Sequence, residues 1–157
     1  MSRSLRFVIV LVFLAMAITT SIASHGSAAQ DDRDRFVGAW RLAWLEEPGP
    51  DGKVHRADCT GLFVFTRDGY ASVQVMYRNP TGGDGGPVQY AQGGYEASYG
   101  RYDVDERAHA WTLHVDGAMV RSLVGQDLKR RYEFSGKQLI VTPSSADEHW
   151  RVAWERQ

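Results

Sequence analysis

From Phe36 to the C-terminus, apolar and polar residues alternate over short runs rich in Val, Tyr, Phe, Trp and Thr. Gly, Asp, Asn and Ser interrupt them every ten residues or so. A period of two marks β-strands, whose successive side chains point to opposite faces. Strands are expected at Gly38–Trp44, Gly61–Thr66, Tyr70–Arg78, Ser98–Val104, Ala110–Val115, Lys129–Phe134, Gln138–Thr142 and Trp150–Glu155. No long stretch carries the period of an amphipathic helix. Arg67-Asp68-Gly69 and Ser135-Gly136-Lys137 read as tight hairpin turns, because glycine takes positive φ without steric cost. Asp116-Gly117 reads as a third turn, opening a connection that runs to about Gln126. Antiparallel strands joined by hairpins lose both exposed edges when the sheet closes on itself. The expected fold is therefore all-β, a single up-and-down antiparallel β-barrel of about eight strands, with an open sandwich as runner-up. Asn79 to Gly94 breaks the pattern: Asn79-Pro80, the Gly-rich Thr81–Pro87 and Gly93-Gly94 predict a long loop. It lacks the Lys-Ser/Thr pair and following helix of a phosphate cradle.

Before Phe36 the pattern changes. Arg3 and Arg6 precede an unbroken apolar run from Phe7 to Ile18, followed by small and polar residues, which is the layout of a secretory signal peptide. Cleavage is expected after Ala29, with Ala23 as a second candidate. Residues 1–29 are thus read as a signal peptide, 30–35 as a disordered, solvated N-terminus, and 36–157 as the barrel domain. The apolar run is shorter than the ~20 residues of a spanning helix, so no transmembrane segment is expected in the mature chain. No cysteine stands at the end of the leader to take a lipid. The expected location is periplasmic or secreted.

At 157 residues the chain is long enough for one domain. Its formal charge of −1 becomes −3 once the leader's two arginines are removed, and nothing in that balance recruits nucleic acid. Cys59 is the only cysteine, so no intrachain disulfide can form and stability must come from the core.

Phe36-Val37-Gly38-Ala39-Trp40-Arg41-Leu42 resembles the Gly-x-Trp opening of lipocalin-type barrels. In order along the chain, Gly61–Tyr70, Ser72–Met76, Tyr99–Glu106, Val124-Gly125-Gln126, Arg131–Gly136 with Leu139, and Val152–Arg156 resemble the bacterial and fungal lipocalin-like domain family. The likeness spans nearly the whole mature chain and implies a small calycin-type barrel, without assigning a ligand. It also places a histidine near Leu113-His114. Independently of the family, an inward Trp40 at one end of a barrel needs a cover. Arg156 on the last strand can lay its guanidinium on that ring. Trp40 and Arg156 are expected to close one end, with a ligand entering at the other.

Alternation sorts the candidate contacts. Leu128, Arg130, Tyr132 and Phe134 share one face, expected to be interior, where the Arg130 cation needs an anion or acceptors. On Tyr70–Tyr77 the faces are Tyr70, Ser72, Gln74, Met76 and Ala71, Val73, Val75, Tyr77, and the pattern does not choose between them. Trp111, Leu113 and Val115 should point inward, which turns His114 out; the resemblance alone keeps His114 as an acid, base or ligand contact. The candidate ligand-binding residues are Gln74, Tyr102, His114, Arg130 and Tyr132. Cys59 reads as a small packing residue. His55, His109 and His149 lack metal-ligand spacing, and no nucleophile elbow, zinc-protease motif or dinucleotide fingerprint occurs, so no metal and no cofactor is implied. Three functions remain open. One is a barrel binding a small hydrophobic or amphipathic molecule, and another a cofactor-free isomerase or cyclase. The third is an envelope interaction module with a barrel filled by Trp44, Phe63, Phe65 and Trp111.

Overall fold

Alternating strands become a barrel here because the first strand pairs along both of its edges. In β1 (Gly38–Pro48), residues Trp40 to Glu46 pair with β9 (Arg151–Arg156). On the other side Gly38–Arg41 pairs with β3 (Cys59–Phe65), and Glu46–Pro48 with the short β2 (Val54–Arg56). The remaining neighbours are consecutive and antiparallel: β4 (Tyr70–Tyr77), β5 (Tyr95–Asp105), β6 (Ala110–Ala118), β7 (Asp127–Ser135) and β8 (Gln138–Pro143). The fold is thus a closed up-and-down antiparallel barrel of eight strands, with β2 as a flap on β1. The computed structural model describes residues 31–49, 51–79 and 90–157. The leader and the Thr81–Pro87 stretch lie outside the described residues. The end of the long loop is built: Tyr90 and Ala91 are buried, and Gln92 and Tyr95 close a turn over Gly93-Gly94.

Three local expectations are corrected. Asp116-Gly117 is not a turn. It lies inside β6, where Tyr99 pairs with Gly117 and Gly100 with Val115, leaving Asp116 as the extra residue of a β-bulge. A second irregularity, between Leu42 and Trp44, shifts the alternation of β1 by one. Trp40 and Leu45 therefore point inward, while Trp44 is turned out of the core between the guanidinium groups of Arg56 and Arg151, 5.5 and 5.4 Å from its ring. Asp31–Arg35, read as solvated chain, folds with Phe36 into a single helical turn, α1 (Asp32–Phe36). Asp31 caps it by accepting from the Arg33 backbone N–H, and Arg35 pairs with Asp32 at 2.9 Å.

That turn plugs one end of the barrel. Phe36 is fully buried, with the rings of Phe65, Tyr102, Trp111, Tyr132 and Phe134 around it. Its carbonyl accepts from Trp40 Nε1 at 2.7 Å, and Asp32 accepts from the Tyr132 hydroxyl at 2.8 Å. Arg156 lies over Trp40, its Cζ 4.2 Å from the ring centre, and donates to the carbonyls of Val37 and Arg35. Arg156→Ala should lower stability by about 1–2 kcal/mol, the scale of a lost stacked and hydrogen-bonded cation. Arg156→Lys should recover part of that, having no planar face. Urea midpoints of both variants, combined with Trp40→Phe in a double-mutant cycle, read the coupling; strict additivity would mean the stacking has no energetic content.

Candidate functional site

The opposite end holds an open pocket of about 70 Å³. Its floor is aromatic: Phe63, from β3, meets Trp111 edge-on at 5.5 Å and Trp154 at 5.3 Å. Val73 and Val75 from β4 and Leu113 from β6 add aliphatic wall. These side chains occupy the inward phase of their strands, and the alternate residues, such as Leu62 on β3, Gln74 on β4 and His114 on β6, face out. The pocket is small beside the few hundred Å³ typical of sites for drug-sized ligands.

Three polar side chains enter this apolar space: Glu96 and Ser98 from β5 and Arg130 from β7. Arg130 is 8% exposed, and its guanidinium lies against two rings set at 84° to one another, with Cζ 4.8 Å from the centre of Tyr90 and 5.1 Å from that of Trp150. One Glu148 carboxylate oxygen ties the rings together, accepting from the Tyr90 hydroxyl and from Trp150 Nε1, each at 2.8 Å. Arg130 Nη1 donates to the Lys129 carbonyl at 3.0 Å. Among the described residues, no carboxylate lies within 4.0 Å of Arg130. Withdrawal from water pushes the Glu96 carboxyl up to about 7, against the opposing pull of Arg130. Beside it, Tyr77 donates to Glu47 at 3.2 Å. Burial and these neighbouring acids push the Cys59 thiol up to about 11, so it is a protonated packing group at neutral pH.

Of the residues expected to contact a ligand, Arg130 alone lines this pocket. Tyr102 and Tyr132 are interior but at the plugged end, where their hydroxyls are engaged by the Thr66 carbonyl and by Asp32. On β4 the valine face is the inner one. Gln74 therefore points outward and donates to Ser72 on the barrel's outer surface. His114 is also outside, bridging strands: Nδ1 lies 2.7 Å from Asp127 on β7 and Nε2 2.9 Å from Asp103 on β5. Hydrogen bonds to Asp127, then to Asp103, raise its pKa.

Because the folded-state value lies above the unfolded one, this bridge contributes fully below the unfolded pKa of 6.5 and fades as pH rises through the folded value. Screening at this exposed site limits it to roughly 0.2–1 kcal/mol. Urea midpoints of wild type and His114→Gln should both fall across that window, since the raised Glu96 carboxyl also loses its proton there, and the fall should be slightly smaller in His114→Gln.

The sequence reading missed Glu96, Ser98, Tyr90 and Trp150. The first two had a usable signal. Counting back by twos along β5 from the inward Tyr102 gives Gly100, Ser98 and Glu96, all on the inner face. Tyr90 had none, since the chain around it carries no period.

An antiparallel barrel plugged at one end and open onto an apolar pocket at the other is a lipocalin-type architecture. The lipocalin-like domain family matches residues 37–157, and the chain belongs to that family. Among solved structures it is similar to a lipocalin-like protein from Bacteroides uniformis, at 13% identity and a TM-score of 0.47. That alignment covers 78% of this chain and 98% of the other. It is also similar to an uncharacterized protein from Bacteroides eggerthii, at 15% identity and a TM-score of 0.44, covering 78% and 99%. No curated protein matches the chain. Among the described residues, no helix is long and apolar enough to cross a membrane.

Proposed function

We propose that this protein is an exported barrel that binds a small, largely apolar molecule in the pocket opposite the α1 plug. The pocket carries the reading: an aromatic and aliphatic hollow, reached from outside, holding only a few polar groups that can orient a guest. At about 70 Å³ it encloses only a few carbon atoms, so a guest such as a short chain or a single ring would keep part of itself in the open mouth. Export is supported by the residue order of the first 29 positions, and places the barrel in the periplasm or outside the cell. Native mass spectrometry of protein purified from its own host is expected to show a retained small molecule, and adding ligand back to stripped protein should raise the melting temperature. A clean apo spectrum, together with no thermal shift across short-chain and single-ring compounds, would overturn the reading.

A cofactor-free isomerase or cyclase is favoured by a separate observation. Glu96, held near 7 in an apolar pocket, is matched to proton transfer at neutral pH. Such an enzyme would convert the retained molecule over time, and Glu96→Gln would abolish that conversion. A retained molecule that stays chemically unchanged would overturn this second reading.

A further inference from the structure

Resting on the binding reading above, we infer that the guest is a small monocarboxylate whose head group is held by Arg130 and by a hydrogen bond from Glu96, with its apolar tail on the Phe63–Trp111–Trp154 floor. Buried charge requires a partner. Arg130 has five N–H donors; one meets the Lys129 carbonyl, the rings of Tyr90 and Trp150 pack against the guanidinium from two roughly perpendicular directions, and among the described residues no carboxylate lies within 4.0 Å of it. Its in-plane edge is what a carboxylate engages in bidentate fashion. Ser98, a residue almost wholly buried, adds a hydroxyl donor to the same wall. A guest offering acceptors fits such a wall; one offering only donors does not.

Glu96 makes the site conditional. As a neutral acid it donates to a bound carboxylate; as a carboxylate it repels one. The groups around it are Arg130 on β7, Cys59 on β3 and Tyr77 on β4, with Glu47 on β1 bonded to Tyr77 and Glu148 held between Tyr90 and Trp150. Cys59 and Tyr77 stay protonated through the neutral range, both being raised above their ordinary values. Burial also raises Glu47, so a variant at Glu96 is needed to assign the titration.

The test uses the mature chain and two matched pairs of probes, hexanoate with hexanamide and phenylacetate with phenylacetamide, followed by calorimetry and tryptophan emission. At about pH 6 each acid is expected to bind at least about tenfold tighter than its amide. Between about pH 6 and about pH 8 the acid's affinity should drop about tenfold in wild type and stay level in Glu96→Gln. Arg130→Gln should erase the preference for acids. If that variant fails to fold, the wild-type and Glu96→Gln pH profiles still decide. Amides binding as well as acids would overturn the carboxylate inference while leaving the pocket reading intact. A level wild-type profile would overturn the part given to Glu96. Absence of binding by all four probes, with no retained molecule in native spectra, would overturn the pocket reading itself.

Discussion

Phe36→Ala is expected to cost about 3–5 kcal/mol, the range for removing a large buried aromatic side chain, out of a total near 5–15 kcal/mol for a domain of this kind. The ring is the hub of the plugged end, wholly buried and touching the rings of Phe65, Tyr102, Trp111, Tyr132 and Phe134. Those five partners come from four different strands, so the space left behind cannot collapse without bending the barrel wall. Phe36→Leu, which keeps most of the volume, should cost roughly 1–2 kcal/mol. Chemical denaturation read by tryptophan emission measures both. A loss below about 1 kcal/mol for the alanine variant would mean that α1 is an appendage and not part of the core.

Gly100→Ala should be comparably severe, about 3 kcal/mol, for the opposite reason. A Cβ at this position would lie 1.8 Å from the His114 carbonyl oxygen and 2.9 Å from the Asp116 backbone nitrogen. Both obstacles are backbone, fixed by the bulge between β5 and β6. Relief requires the strands to part, which also draws Asp103 away from His114. The variant should therefore show a lowered urea midpoint and a His114 titration moved back toward its ordinary value. Gly136→Ala is the control: nothing lies within 4 Å of the added atom and only its φ of +58° is strained, for about 1 kcal/mol. Equal losses at the two glycines would rule out the steric account of the bulge.

The two glycine sites also show where sequence reading succeeds and fails. Gly136 sits between strongly alternating runs, and its turn was legible from them. Asp116-Gly117 carries the same chemistry, but whether such a pair makes a turn or a bulge depends on what faces it. The residues that flank the bulge on the facing strand, Tyr99 and Gly100, belong to β5 and not to the turn-like pair itself. Faces followed the same logic. Leu128, Arg130, Tyr132 and Phe134 differ sharply from their polar neighbours, so the inner face of β7 was plain. On β4 both faces mix tyrosine with small or apolar residues, and only packing decided that Val73 and Val75 go in. Charge misled at Asp31–Arg35, because a capped helical turn and a solvated tail share the same composition. At the site, Arg130 was legible from alternation. Glu96 falls on the inner face by the same count from Tyr102, but it lies two residues before the expected start of that strand at Ser98, where the Gly-rich loop hands over to β5.

The β1–β9 seam has a consequence for the order of events in folding. Arg156 donates to the Val37 carbonyl across 119 positions of sequence, and among the described residues no other strand pairs with β1 along that edge. While the chain is being made, or while it refolds from its N-terminus, Trp40 is uncovered and one edge of β1 lacks hydrogen-bond partners until the final strand arrives. Contacts this distant in sequence make folding slow, and an unpaired strand edge is a template for wrong pairing in the interval. The six-residue β9 therefore acts as a timer: β1 reaches its final environment only once β9 has been made and has docked.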